Sequence, residues 1–121
     1  MATDGRERPL TFNRVYDQDV SQNRFFEESG IKELVDQALD GFSVCIFACG
    51  QTGSGKSFTI TGPEGVMTSE TVGLVPRSLR YLFEEVIARN TTESPIEVKA
   101  SYIEIYNEHV SVSYDKEFEA Y

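Results

Sequence analysis

At 121 residues, 40% apolar and 26% charged, the chain is long enough for one soluble globular domain with a modest core. Its formal net charge is −9, and none of its eleven Lys and Arg stand side by side. That balance argues against unaided binding to nucleic acid, to acidic membranes or to a strongly acidic protein, because like charges repel at long range. No apolar run approaches the roughly 20 residues that span a bilayer, and the first nine residues are too polar for a secretory signal, so a cytosolic protein is expected.

In chain order, residues 11–16 (TFNRVY) are short, β-branched and aromatic, and read as a strand. Ser21 is a plausible N-cap for a helix carrying Phe25, Ile31, Leu34, Val35, Ala38 and Leu39 on one side, with Gly41 as its stop. Gly30 interrupts that helix at a cost of about 1 kcal/mol. Residues 43–48 (SVCIFA) are apolar without alternation, which predicts a strand buried on both faces.

Cys45 and Cys49 both fall on or beside this strand, where four residues span about 13 Å, beyond the roughly 7 Å limit for a disulfide. An isolated C-x3-C with His109 as the only other soft ligand is a poor zinc site. Reduced thiols in the core are the expectation, with His109 on the surface.

A glycine-rich turn follows, then a helix that Gly62-Pro63 ends within two turns, then a surface loop over residues 64–73. Pro76 suits the first turn of a second long helix. Leu79, Leu82, Phe83, Val86 and Ile87 follow the i, i+3, i+4, i+7, i+8 spacing of an amphipathic helix that Arg89 and Asn90 close. Ile96, Val98, Ala100 and Tyr102 alternate, and Ile103 and Ile105 continue out of phase, as in a strand passing from half-buried to fully buried. From Ser111 the pattern dissolves into an acidic tail. The order β–α–β–loop–α–loop–α–β is an α/β layout, with a central sheet flanked by helices.

Gly50-Gln51-Thr52-Gly53-Ser54-Gly55-Lys56-Ser57 satisfies the P-loop pattern G-x-x-x-x-G-K-[ST]. Glycines let the backbone curl so that successive N–H groups point at phosphate oxygens, and the helix N-terminus behind them adds a positive field. Lys56 would reach the β- and γ-phosphates of a nucleoside triphosphate, and the Ser57 hydroxyl would join the Mg²⁺ shell. A complete enzyme also needs a second Asp at the end of a buried strand and a group that orients water. The nearest candidate run is VSVSYD, ending at Asp115, but it is half polar and reads more readily as carrying an exposed tail carboxylate. Glu104 and Glu108 flank a strand end, as polar site residues or as solvated edge groups.

These residues together resemble the kinesin motor domain, a P-loop NTPase. The match runs over residues 11–110, between an N-terminal segment (1–10) and the divergent acidic tail (111–121). TFNRVYDQDVSQNRFFEE is similar to that family's edge strand and first helix, and GFSVCIFACGQTGSGKSFTI to its P-loop strand, loop and short helix. Gly73-Leu74-Val75-Pro76-Arg77 resembles its G-[IL]-[IV]-P-R helix start, and SYIEIYNE its fourth strand.

The resemblance implies ATP and Mg²⁺ as ligands, microtubules as the track, hydrolysis-driven movement and a cytoplasmic, cytoskeletal location. It carries Gly50 to Ser57 over as phosphate and Mg²⁺ contacts and adds Phe58 as an aromatic that packs on adenine. Arg6-Glu7-Arg8-Pro9 echoes the family's R-x-R-P adenine motif but sits directly against the first strand. After Val110 the family's D-L-L is replaced by Ser111-Val112-Ser113, and neither switch motif (N-x-x-S-S-R-S-H, D-x-x-G-x-E) occurs in the 121 residues.

The chain therefore corresponds to about the first third of a motor domain, and hydrolysis and microtubule binding are expected to be lost from it. In the family's sheet these three strands are separated by others, so their edges should stay open here and Ile103 and Ile105 should lose burial worth about 1.5–3 kcal/mol each. The alternative is a non-catalytic nucleotide-binding or interaction module. No N-K-x-D motif is present, which disfavours a GTPase.

Overall fold

The structure is a computed structural model that describes residues 9–65 and 68–118, with side chains as far as Ser111. Four helices and one hairpin follow in sequence: α1 (Gln22–Glu28), α2 (Ile31–Leu39), α3 (Lys56–Ile60), α4 (Leu74–Arg89), β1 (Val98–Tyr106) and β2 (His109–Phe118). Among the described residues no helix is long and apolar enough to cross a membrane.

The helix expected from Ser21 onward is two helices. Ser21 caps α1 as predicted, its hydroxyl accepting from the Arg24 N–H at 3.2 Å. Gly30 then adopts φ 85°, a left-handed conformation that no continuing α-helix tolerates, and α2 restarts behind it. The break lets both helices turn their apolar sides inward. Phe26 of α1, Ile31 at the start of α2 and Leu74 at the start of α4 form a buried cluster, covered by Phe25, Leu34, Ile60 and Tyr81. Val35 and Val86 are buried as well. Of the face predicted for α4, only Val86 is fully covered, while Leu79 and Ile87 stay exposed.

Polar contacts fasten α2 to α4. Arg89 reaches Asp36 at 2.7 Å, Asp40 at 3.1 Å and Glu85 at 3.1 Å. The Tyr81 hydroxyl donates to Asp36 at 3.1 Å. Arg77 holds the preceding loop: its guanidinium donates to the carbonyls of Val72, Ser69 and Glu70 and to Asn23 Oδ1 on α1, all within 2.8–3.0 Å.

Two expected strands do not form ladders. Residues 11–16, with a bend at Asn13, and residues 43–48 have no strand partners, because the only sheet among the described residues is β1 with β2. Apolar side chains are left open on both segments, including Phe12, Val15, Ile46 and Phe47. Cys45 and Cys49, expected as thiols in the core, lie exposed rather than buried, since no neighbouring strand covers them.

The strand through residue 105 does form, without the passage to full burial that its spacing suggests and with the loss of burial at Ile103 and Ile105 expected from the missing neighbouring strands. Tyr102, Ile103, Ile105 and Tyr106 all lie more than half exposed. Instead of dissolving at Ser111, the chain turns back at Asn107 and Glu108, both at positive φ, into β2. The pairing is antiparallel from Tyr106↔His109 to Val98↔Phe118, with an irregularity between Tyr102 and Ile103. A two-residue turn with both φ values positive matches the twist of a hairpin, but Asn-Glu is not the Asn-Gly that announces one.

Candidate phosphate-binding site

Residues 50–58 fold as one loop closing onto α3. The turn begins where the Ser54 N–H donates to the Gln51 carbonyl at 3.2 Å, and Thr52 and Gly53 form its exposed tip. Gly55 is the N-cap of α3 at φ 90°, a geometry costly for any residue with a Cβ. At Gly50 a Cβ would meet the Ser54 side chain, whose hydroxyl would have to turn away.

No side chain caps α3, so the N–H groups of Lys56, Ser57 and Phe58 in its first turn have no helical acceptor and face the loop. Lys56 folds back over them, its Nζ donating to the carbonyls of Gly50 at 2.9 Å and Gln51 at 2.8 Å. Among the described residues no carboxylate pairs with it. A cation without a counter-ion, beside uncapped backbone donors, is suited to an anion with several oxygens. The Ser57 hydroxyl is exposed on the same turn. No group of three or more His, Cys, Asp or Glu side chains among the described residues could hold a metal by itself. A Mg²⁺ ion here would depend on phosphate oxygens, water and Ser57, which is how Mg²⁺ is usually bound beside phosphates.

The far end of α3 is anchored twice. Ile60 packs on the core cluster, and the Gly73 N–H donates to the Thr61 carbonyl at 3.1 Å. Midway along, the buried Gln22 side chain donates from Nε2 to the Phe58 carbonyl at 2.6 Å. The Phe58 ring itself is half exposed, on the rim of a cleft of about 500 Å³ that Tyr16, Gln18, Val20 and Gln22 share with Ser54 and Gly55. A second cleft of about 580 Å³ lies on the other side of Tyr16, between residues 13–16 and 46–49, and reaches Lys56 and Leu74. The Tyr16 hydroxyl is buried between the two without a partner among the described residues, and its ring meets Phe25 edge-on at 4.8 Å.

The structure thus brings together Gly50, Gln51, Thr52, Gly53, Ser54, Gly55, Lys56, Ser57 and Phe58. Glu104, Glu108 and His109 lie exposed on the hairpin. The Asp115 side chain and residues 6–8 of the adenine-motif echo fall outside the described part. Gln22 and Arg77 were not read as site residues. Arg77 stood in a recognised helix-start motif without a role, and a lone polar residue in a helix's first turn carries no signal at all.

A glycine-rich loop closing on a helix N-terminus, with a lysine that has no carboxylate partner among the described residues, has the form of a P-loop in an α/β chain. Residues 1–115 match the family model of the kinesin motor domain. The chain belongs to that family. It is 46% identical over 107 residues to kinesin-like protein KIN-14D of Arabidopsis thaliana, covering 88% of this chain and 13% of that protein. A solved structure of a fast kinesin, described with its ATPase mechanism and microtubule interactions, aligns with a TM-score of 0.77 at 35% identity. That alignment covers 85% of this chain and 28% of that one. Drosophila Kin10/NOD, solved with divalent manganese and ADP, aligns with a TM-score of 0.73 at 40% identity, over 82% of this chain and 34% of its own. The fold is that of the P-loop NTPases, represented here by part of a motor domain.

Proposed function

We propose that residues 50–58 hold Mg·ATP and that the chain is the P-loop portion of an ATP-driven, microtubule-based motor. The observation that carries this reading is Lys56: its ammonium rests on two backbone carbonyls, with no carboxylate partner among the described residues. Carbonyl contacts are readily exchanged for the stronger, charge-assisted bonds that phosphate oxygens offer. Lys56 then serves the β- and γ-phosphates and the free N–H groups of residues 56–58 cradle them. Ser57 ligates Mg²⁺, and Phe58 packs on adenine. Membership of the kinesin family, and the ADP and manganese held by Drosophila NOD, support this choice of ligand. The microtubule interactions of the fast kinesin support tubulin as the partner and the cytoskeleton of the cytoplasm as the location.

For the 121 residues alone we propose binding without turnover, since they contain neither switch motif. Titration of a fluorescent ATP analogue into the chain and into Lys56→Ala tests the binding. Saturation by the first and not the second is expected, and equal signals from both would overturn the reading. Phosphate release that rises on adding microtubules would overturn the absence of turnover.

A further inference from the structure

We propose that Gln22 is a positioning residue for the base of the bound nucleotide, acting through Phe58. The inference rests on the nucleotide reading of residues 50–58. Gln22 is the buried polar side chain of the described core, and its amide reaches across 36 positions of sequence to the Phe58 carbonyl. That carbonyl needs a partner because α3 is only five residues long. Its ordinary acceptor role toward the residue four ahead is vacated, since the Gly62 N–H turns to the Ser57 carbonyl at 3.3 Å. A carbonyl in the last turn of a helix lacks an intrahelical donor and is satisfied by an outside donor or by water, and here the Gln22 amide takes that place.

The Gln22 bond, together with the Thr59 N–H donating to the Gly55 carbonyl at 2.9 Å, holds the peptide after Phe58, and with it the base of a half-exposed ring. The phosphate side of the site is held differently. Gly55 starts the helix, Ile60 anchors it to the core, and Lys56 hangs on the loop carbonyls. Loss of the Gln22 donor should free the ring at the cleft rim and leave the loop as it is. Gln22 also lines that cleft beside Gln18 and Tyr16, where a nucleoside joined to phosphates in the loop would lie.

The test compares Mg·ATP with Mg·tripolyphosphate, which presents the same anion without a base, by calorimetry on the 121-residue chain. Gln22→Met keeps the length of the side chain and removes the donor. It is expected to weaken ATP roughly three- to tenfold, the loss of one hydrogen bond, and to leave tripolyphosphate within about twofold. Phe58→Leu should show the same split, and adding Gln22→Met to it should change little further. Should Gln22→Met fail to fold, Gln22→Glu, equally long and without a donor at neutral pH, takes its place. Equal losses on both ligands, or none on either, would overturn the role of Gln22 and leave the loop reading standing. Absence of binding by the unmodified chain to both ligands would overturn the loop reading and this inference together.

Discussion

Gly73 donates its N–H to the Thr61 carbonyl at 3.1 Å, and the backbones cross so closely that a Cβ on Gly73 would lie 2.7 Å from the Gly62 nitrogen and from the Ile60 carbonyl. This crossing ties the end of the P-loop helix to the start of α4. The φ of Gly73 is −81°, which any residue can adopt, so space alone demands glycine there. Gly73→Ala should therefore destabilise the chain by about 1–3 kcal/mol, the usual cost of forcing atoms into packed structure. Urea unfolding would measure it. A midpoint unchanged from the parent would mean that the two segments do not touch.

Ser57 is expected to act only through the metal. Ser57→Ala should weaken binding of a fluorescent ATP analogue about tenfold when Mg²⁺ is present, in line with one lost metal ligand. With EDTA the variant and the parent should bind alike. A loss of the same size in EDTA would assign the hydroxyl to phosphate instead.

Arg77 gathers three loop carbonyls and Asn23 with one planar group. Lysine carries the same charge but cannot match that fork. Arg77→Lys should cost about 1–3 kcal/mol and accelerate hydrogen exchange at Thr71 and Val72, whose N–H groups bond to Thr68 in the ordered loop. Exchange no faster than in the parent would show that the loop holds itself.

Burial first, and then the hydrogen bond to Asp36, raise the Tyr81 phenol above its ordinary value of 10. A raised pKa means that folding favours the protonated phenol. The stability it contributes is complete below about pH 10 and is lost as the pH climbs through the folded-state value. Tyr81→Phe should cost about 1 kcal/mol at pH 7, and its deficit should shrink above pH 10. Unfolding midpoints at pH 7 and above pH 10 would decide. A deficit constant across that range would place the phenol outside the linkage.

The sequence by itself determined what is local. Ser21 as a cap, the glycine-rich loop before Lys56, the short helix behind it and the long helix from Leu74 all follow from hydrogen-bond needs and spacing within a few residues. The motifs in order were specific enough to reveal the kinesin family. That residues 11–16 and 43–48 lack strand neighbours was legible too, through the family's strand order.

Tertiary structure decided the rest, because it depends on what lies across from each residue. Cys45, Cys49 and Ile105 look like core residues by composition, yet burial requires a neighbouring strand that the described residues do not supply. The hairpin through Glu108 needed a pairing partner to become visible, since its turn lacks glycine. Gln22 meeting Phe58 and Gly73 crossing Gly62 are contacts between distant positions, which no local pattern encodes. They hold the short helix behind the glycine-rich loop that the sequence announced.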